Sequence, residues 1–169
     1  MLESNTNSLD FDSETHFETS VEESYILFKL SGHQFAISLV EAKRVLPVTN
    51  ITPVPFTEDF IAGIFNFRNH LVTVFQLDIL LKLNKSEAAK NKLLILKNGS
   101  NLFGILVEEV SSIQKIQANK IYAVDSNFQL TAKEFLKGIY KKEENSESIF
   151  ILSISGILES EQFQKYEER

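Results

Sequence analysis

The side chains best equipped for chemistry are few and scattered. His16, His33 and His70 match no metal-ligand spacing such as His-Glu-x-x-His, and the last two fall at turns. Glu108 and Glu109 are adjacent, so in a strand they point to opposite faces and cannot form a facing carboxylate pair. They read as a solvated edge. The six glycines stand singly, which leaves neither a phosphate cradle nor a dinucleotide fingerprint. Cysteine is absent, excluding disulfides, thiol nucleophiles and cysteine zinc sites. No catalytic residue, metal or cofactor is expected. What remains is Arg68, whose planar five-donor fork, with Asn66 on the same face of its strand, suits the recognition of another protein.

Charge narrows the class of partner. The formal charge of -6 is concentrated at the N-terminus, where residues 1–24 hold seven acids (Glu3, Asp10, Asp12, Glu14, Glu18, Glu22, Glu23) and no Lys or Arg. The rest has 16 acids against 17 bases, too even for a nucleic-acid or anionic-membrane binder. With 14 Phe and 4 Tyr the chain is aromatic enough to suggest base stacking. Most of those rings, however, fall at alternating core positions without a basic neighbour, so packing is the better reading. No apolar run is long enough to span a bilayer, and a cytoplasmic protein is expected.

These side chains must be positioned by strands. Residues 1–24 are polar and aperiodic and are expected to form a disordered acidic tail. From Tyr25 onward short apolar runs alternate with turn residues: 25–30 and 35–39, 61–67 and 71–77, 93–96 and 102–107, then 135–140 and 149–154. Pro47, Pro53 and Pro55 lack backbone donors, so the passage 47–55 is expected to cross as a loop. Asp78 is expected to cap a helix over 79–83, followed by a polar linker at 84–91. Leu158, Phe163 and Tyr166 carry a helix-compatible spacing near the end, within a C-terminal segment at 155–169.

An internal repeat organises the strands. Phe35-Ala36-Ile37-Ser38-Leu39-Val40-Glu41 matches Phe103-Gly104-Ile105-Leu106-Val107-Glu108-Glu109. Phe60-Ile61-Ala62-Gly63-Ile64-Phe65 matches Phe135-Leu136-Lys137-Gly138-Ile139-Tyr140, each leading to an apolar pair, Ile79-Leu80 and Ile157-Leu158. Two blocks recurring in one order predict duplicated halves, each with strands for a small barrel, sharing an apolar seam.

The stretch from Ile51-Thr52-Pro53-Val54-Pro55 to Phe60-Ile61-Ala62-Gly63-Ile64-Phe65-Asn66-Phe67-Arg68 resembles the CheW-like family signature, a proline-bearing loop followed by Phe-Ile-x-Gly-Val-x-Asn-Leu-Arg-Gly. The likeness extends over most of 25–158. It implies a mainly β fold of two five-stranded Src-homology-3-like barrels about a pseudo-twofold axis. The first barrel is expected at about 25–83 plus a C-terminal segment, the second at about 93–154. The resemblance also implies a non-catalytic adaptor that joins a CheA-type histidine kinase to methyl-accepting chemoreceptors in an array on the inner face of the membrane. By aligned position, Arg68, Leu93, Val110 and Asn66 are expected toward the receptor, and Ile26, Leu39 and Ala42 toward the kinase. The same scaffold would serve another chemosensory-type pathway, such as gliding or pilus motility. Two departures bear on partners and geometry: Asn69 stands where the family commonly has Gly, and Arg44 where many members carry Glu.

Overall fold

The computed structural model describes residues 21–84, 86–124, 133–143, 146–160 and 163. Residues 1–20 of the tail expected at 1–24, and Tyr166, lie outside the described residues. The first stretch gives strands β1 (Glu22–Leu30), β2 (His33–Ser38), β3 (Ala42–Pro47), β4 (Ile61–Phe67) and β5 (His70–Phe75), then helix α1 (Leu77–Leu80). The second gives β6 (Lys92–Asn98), β7 (Asn101–Val107), β8 (Glu109–Gln117), β9 (Ile121–Tyr122), β10 (Leu136–Tyr140), β11 (Ile149–Leu152) and helix α2 (Ile154–Leu158). The fold is mainly β, in two sheets, as the repeat predicts.

The sheets do not divide where the polar stretch 84–91 divides the sequence. One six-stranded sheet runs β8-β1-β2-β11-β10-β9, and one five-stranded sheet runs β3-β6-β7-β5-β4. The first hairpin of each half is therefore lodged in the sheet of the other half. Strand β2 runs parallel to β11 with Phe35 opposite Phe150, and β7 runs parallel to β5 with Phe103 opposite Thr73. Likewise β1 is antiparallel to β8, and β6 to β3. Local periodicity carries no information on which hairpin pairs with which, so this exchange is invisible until the registers are known.

The registers establish the duplication in detail. A bulge at Lys43 in β3 is matched by one at Ser111 in β8, and the slip between Ile61 and Gly63 by one between Leu136 and Gly138. The apolar pair equivalent to Ile157-Leu158 is Leu80-Leu81, one residue later than expected, because Ile61 lies opposite Phe75 and Leu136 opposite Leu152. A Cβ on Gly63 would strike the carbonyl oxygen of Thr52, and one on Gly138 would lie 2.6 Å from that of Tyr122. Gly63 also has φ +141°, open only to glycine among common residues.

Alternation sorts the side chains into three apolar layers. Ile26, Phe28 and Leu30 of β1 meet Leu94 and Leu96 of β6 and Phe103, Ile105 and Val107 of β7 in the central layer between the sheets. Tyr25 and Leu27 turn the other way, onto Ile116, Tyr140 and Ile151. Leu93 and Ile95 turn onto Val72, Val74 and Leu106. Each sheet thus closes over an inner cluster of its own. In the six-stranded sheet, Ile116 of β8 and Ile121 of β9 share that cluster although they belong to opposite edges, and Gln114 donates to the Tyr140 hydroxyl at 3.2 Å. Curling of this kind is what turns a small sheet into a barrel.

Several boundaries differ from expectation. The first strand begins at Glu22 rather than Tyr25, because Glu22 to Ser24 pair with Gln117 to Lys115. Strands β3 and β8 were not anticipated. Both are mostly exposed edge strands whose apolar residues are interrupted, by Lys43 and Arg44 in β3 and by a largely polar sequence in β8, so neither shows the apolar run of a central strand. Pro47 ends β3 at that edge, where its missing donor is tolerated. Helix α1 starts at Leu77 with Gln76 at its N-cap and no side-chain cap; Asp78 instead binds Lys90 at 2.6 Å. Ser153 does cap α2, accepting from the Gly156 N–H at 3.1 Å, so β11 stops at Leu152. Phe163 packs on the central layer with its ring 5.0 Å from Phe75.

Candidate protein-binding surfaces

The β4–β5 hairpin closes through a two-residue loop, Arg68-Asn69, between the paired Phe67 and His70. Both loop residues are left-handed, with φ of 48° and 66°, the geometry of a type I′ turn. Asn69 adopts it at modest cost, which is how the turn survives without glycine. Arginine has no such tolerance, and a left-handed residue of this kind costs on the order of 1–2 kcal/mol. Asn66 steadies the turn by accepting from the Asn69 N–H at 3.1 Å. Its carbonyl group is therefore committed to the loop. Arg68 stands exposed beyond it, its guanidinium carbon 5.5 Å from the centre of the Phe67 ring.

Arg68 does not stand alone. A cleft of about 290 Å³ is lined by Lys43, Arg44, Phe67, Arg68, His70 and Leu102. Strands β3 and β4 lie at opposite ends of the five-stranded order, yet both line this cleft, so that sheet also curls back on itself. A larger depression of about 780 Å³ adjoins it, sharing Lys43, His70 and Leu102 and adding Leu71 and Lys97 among others. Leu71 is 73% exposed.

A second surface lies where β2 passes to β3. Leu39 is held by donating its N–H to the Ser24 carbonyl at 2.8 Å, and Glu41 follows by donating to Ser38 at 3.0 Å. At this corner Leu39 is partly exposed and Val40 is 68% exposed. Beneath it the Glu23 carboxylate accepts from Ser38 Oγ at 2.6 Å and from the Tyr25 hydroxyl at 2.7 Å. The Ser38 bond, then the Tyr25 bond, hold the Glu23 carboxyl below its ordinary value. Burial, then the same carboxylate, pushes the Tyr25 phenol up. Glu41 differs: its Oε2 is enclosed with no hydrogen-bond partner among the described residues, and burial raises its carboxyl, with Lys137 acting in the opposite direction.

The residues expected to face partners thus separate into four groups. Arg68 and Asn66 meet at one tip, and Leu39 and half-buried Ala42 meet at the other corner. Val110 is half-buried at the start of β8, against the central layer. Leu93, with no exposure, and Ile26, with 6%, lie inside the apolar layers and offer no surface of their own. Both sit in runs that are apolar on two faces, where sequence gives no sign of an outward side. Glu108 is not simply solvated, since its carboxylate accepts from the Ser31 N–H at 2.9 Å across the β1–β2 turn. Val40 and Lys43 are surface neighbours of the expected residues that the sequence reading misses, whereas Arg44 is singled out there as a departure bearing on partners. Adjacent Leu39 and Val40 at a strand end, one of which must face outward, were the available sign for the first.

The model of the CheW-like domain matches residues 24–162. The chain belongs to the CheW-like family. Among curated relatives, Chemotaxis protein CheW of Klebsiella aerogenes is 24% identical over 144 residues, covering 85% of this chain and 86% of the relative. Protein FrzA of Myxococcus xanthus is 26% identical over 142 residues, covering 82% and 87%. Among solved structures, the scaffolding protein TtCheW of Thermoanaerobacter tengcongensis superposes with a TM-score of 0.75 at 21% identity, covering 87% of this chain and 94% of that one. That likeness establishes the fold. In family terms Arg68 closes the Asn-x-Arg signature. Among the described residues no three His, Asp or Glu side chains are placed to hold a metal ion, and no helix is long and apolar enough to cross a membrane.

Proposed function

We propose that this protein is a non-catalytic adaptor that couples a CheA-type histidine kinase to methyl-accepting chemoreceptors in a chemosensory array. The observation that carries this reading is the family match over 24–162 joined to an outward Arg68 held in a costly turn. A strained, exposed arginine on a rigid hairpin is a feature better suited to recognition than to stability. The receptor side is the β4–β5 tip with Arg68 and Asn66, and Val110 in the other sheet is assigned to the receptor by aligned position alone. The kinase side is the corner of Leu39 and Ala42, with Val40 beside them. Leu93 and Ile26 support these faces from within.

Two surfaces on one stiff body raise the local concentration of kinase near receptor without any bond being made or broken. Micromolar contacts, about 8 kcal/mol each, are sufficient and still exchange. The test is co-sedimentation with a CheA-type kinase and receptor fragments from the same organism. Arg68→Glu is expected to reduce receptor capture while leaving kinase capture and the thermal transition nearly unchanged; undiminished receptor capture by the folded variant would make Arg68 a bystander. The FrzA likeness favours a second reading, an adaptor of another chemosensory-type pathway such as gliding or pilus motility. Reconstituted kinase activity with each candidate receptor set separates the two.

A further inference from the structure

The basic cleft contains more charge than one recognition arginine requires. Lys43, Arg44, Arg68 and Lys97 line the two adjoining depressions, and none forms an ion pair with a described carboxylate. Apolar surface lies among them, in the exposed Leu71 and the half-buried Phe67 and Leu102. A basic rim around apolar ground fits an acidic segment with spaced aromatic residues. One such segment belongs to this chain. Residues 1–20 contain Glu3, Asp10, Asp12, Glu14 and Glu18 with no Lys or Arg, and place Phe11 between two aspartates and Phe17 beside Glu18.

We infer that the cleft takes the chain's own N-terminal segment, residues 1–20, across Lys43, Arg44, Arg68 and Lys97. The root of that segment is fixed within a bounded distance of the cleft. Val21 accepts from the Ala118 N–H at 3.0 Å, Ser24 from Leu39, and Glu41 from the Lys97 N–H at 2.8 Å. Following the chain from Val21 to Ser24, across to Leu39 and on to Lys43 bounds the separation at roughly 32 Å, at ~3.8 Å per residue. Twenty residues reach about 66 Å when extended and about 25 Å on average as a flexible coil, so the cleft lies within easy range. Glu22 and Glu23 are already engaged with Lys115 and with Ser38 and Tyr25, which leaves the acids before residue 21 for the cleft. A tether of this length supplies an effective concentration on the order of millimolar, so a contact too weak to detect between separate molecules is substantially occupied. The segment then covers Arg68, and any acidic partner must displace it.

The chain has no cysteine, so Ser13→Cys in the full-length protein accepts a single nitroxide label. Backbone amide intensities of Lys43, Arg44, Leu71 and Lys97 are compared with those of Lys29 and Ser112, at the equivalent end of the other sheet. The expected result is an intensity loss of about half at the cleft, as partial occupancy at millimolar effective concentration implies, with little loss at the reference amides. It is unchanged on dilution and abolished in ~1 M salt, where the screening length is ~3 Å. Lys43→Glu with Arg44→Glu abolishes it as well, and Asp10, Asp12, Glu14 and Glu18 replaced by Lys restore it in that background. Equal broadening at both ends, persistence at high salt, or growth with concentration, which marks a second copy, would overturn the inference. The salt arm uses the unaltered cleft and stands even if a variant misfolds. Because no kinase or receptor is present, the outcome is independent of the adaptor reading.

Discussion

Lys29 faces Glu109 in one sheet as Lys97 faces Glu41 in the other, and the two equivalent pairs have different electrical fates. Lys29 lies 3.5 Å from Glu109, with both side chains about half exposed. Glu41 is drawn inward, its Oε2 enclosed, and Lys97 is left to line the cleft. The neighbouring bulges repeat the contrast: Ser111 and Ser112 stand in β8 where β3 has Lys43 and Arg44. The hairpin tips differ as well, a strained two-residue turn at Arg68-Asn69 against the charged stretch 141–148 between β10 and β11. Backbone geometry has been kept in duplicate while the charges have diverged. The lesson is that a repeated frame constrains strand registers and glycines closely but leaves its rims free to specialise.

The glycines test how far the equivalence holds. Gly63→Ala is expected to destabilise by about 3 kcal/mol or more, since it combines a backbone collision with a left-handed φ. Gly138→Ala meets the two-residue strand β9, which can move, and is expected to cost about 1–2 kcal/mol. Urea denaturation of both variants measures the difference, and equal losses would break the distinction. At the tip, Arg68→Gly is expected to raise stability by about 1 kcal/mol by relieving the left-handed arginine. An unchanged unfolding midpoint would mean the turn carries no strain.

The smallest effects concern the paired carboxylates. Glu41→Gln is expected to stabilise by at most about 1 kcal/mol at neutral pH, Glu109→Gln to change stability by less than about 0.5 kcal/mol. The sign with pH follows from burial raising the Glu41 carboxyl above 4.5. The folded state holds that proton more tightly than the unfolded chain, so the cost is complete above the raised value and vanishes below 4.5. The advantage of Glu41→Gln should therefore close as pH falls. A gap that widened on acidification would contradict the enclosed carboxylate.

Central strands were legible because runs such as Leu93 to Leu96 and Phe103 to Val107 are apolar on both faces, and turns because Gly32 and Gly99 mark them. The edge strands β3 and β8 were not, since mostly exposed segments with short or interrupted apolar stretches resemble loops. Asp78 resembled a helix cap because its alternative partner, Lys90, lies near the end of a polar stretch whose path no local rule specifies. At the candidate site Arg68 stood out by residue type and position. Its union with Lys43 and Arg44 depends on opposite sheet edges curling together, a long-range event without a local signature.

The exchange of hairpins between the halves has a topological consequence. Either half on its own would lack the strands that complete its sheet, and would present an open slot of the shape that its own hairpin fills in the other. Two molecules of one half could satisfy each other as a symmetric, mutually inserted dimer, and a short tether between their ends would convert that dimer into a monomeric chain of this design. The same interlock means that neither barrel can be cut away intact by a single scission.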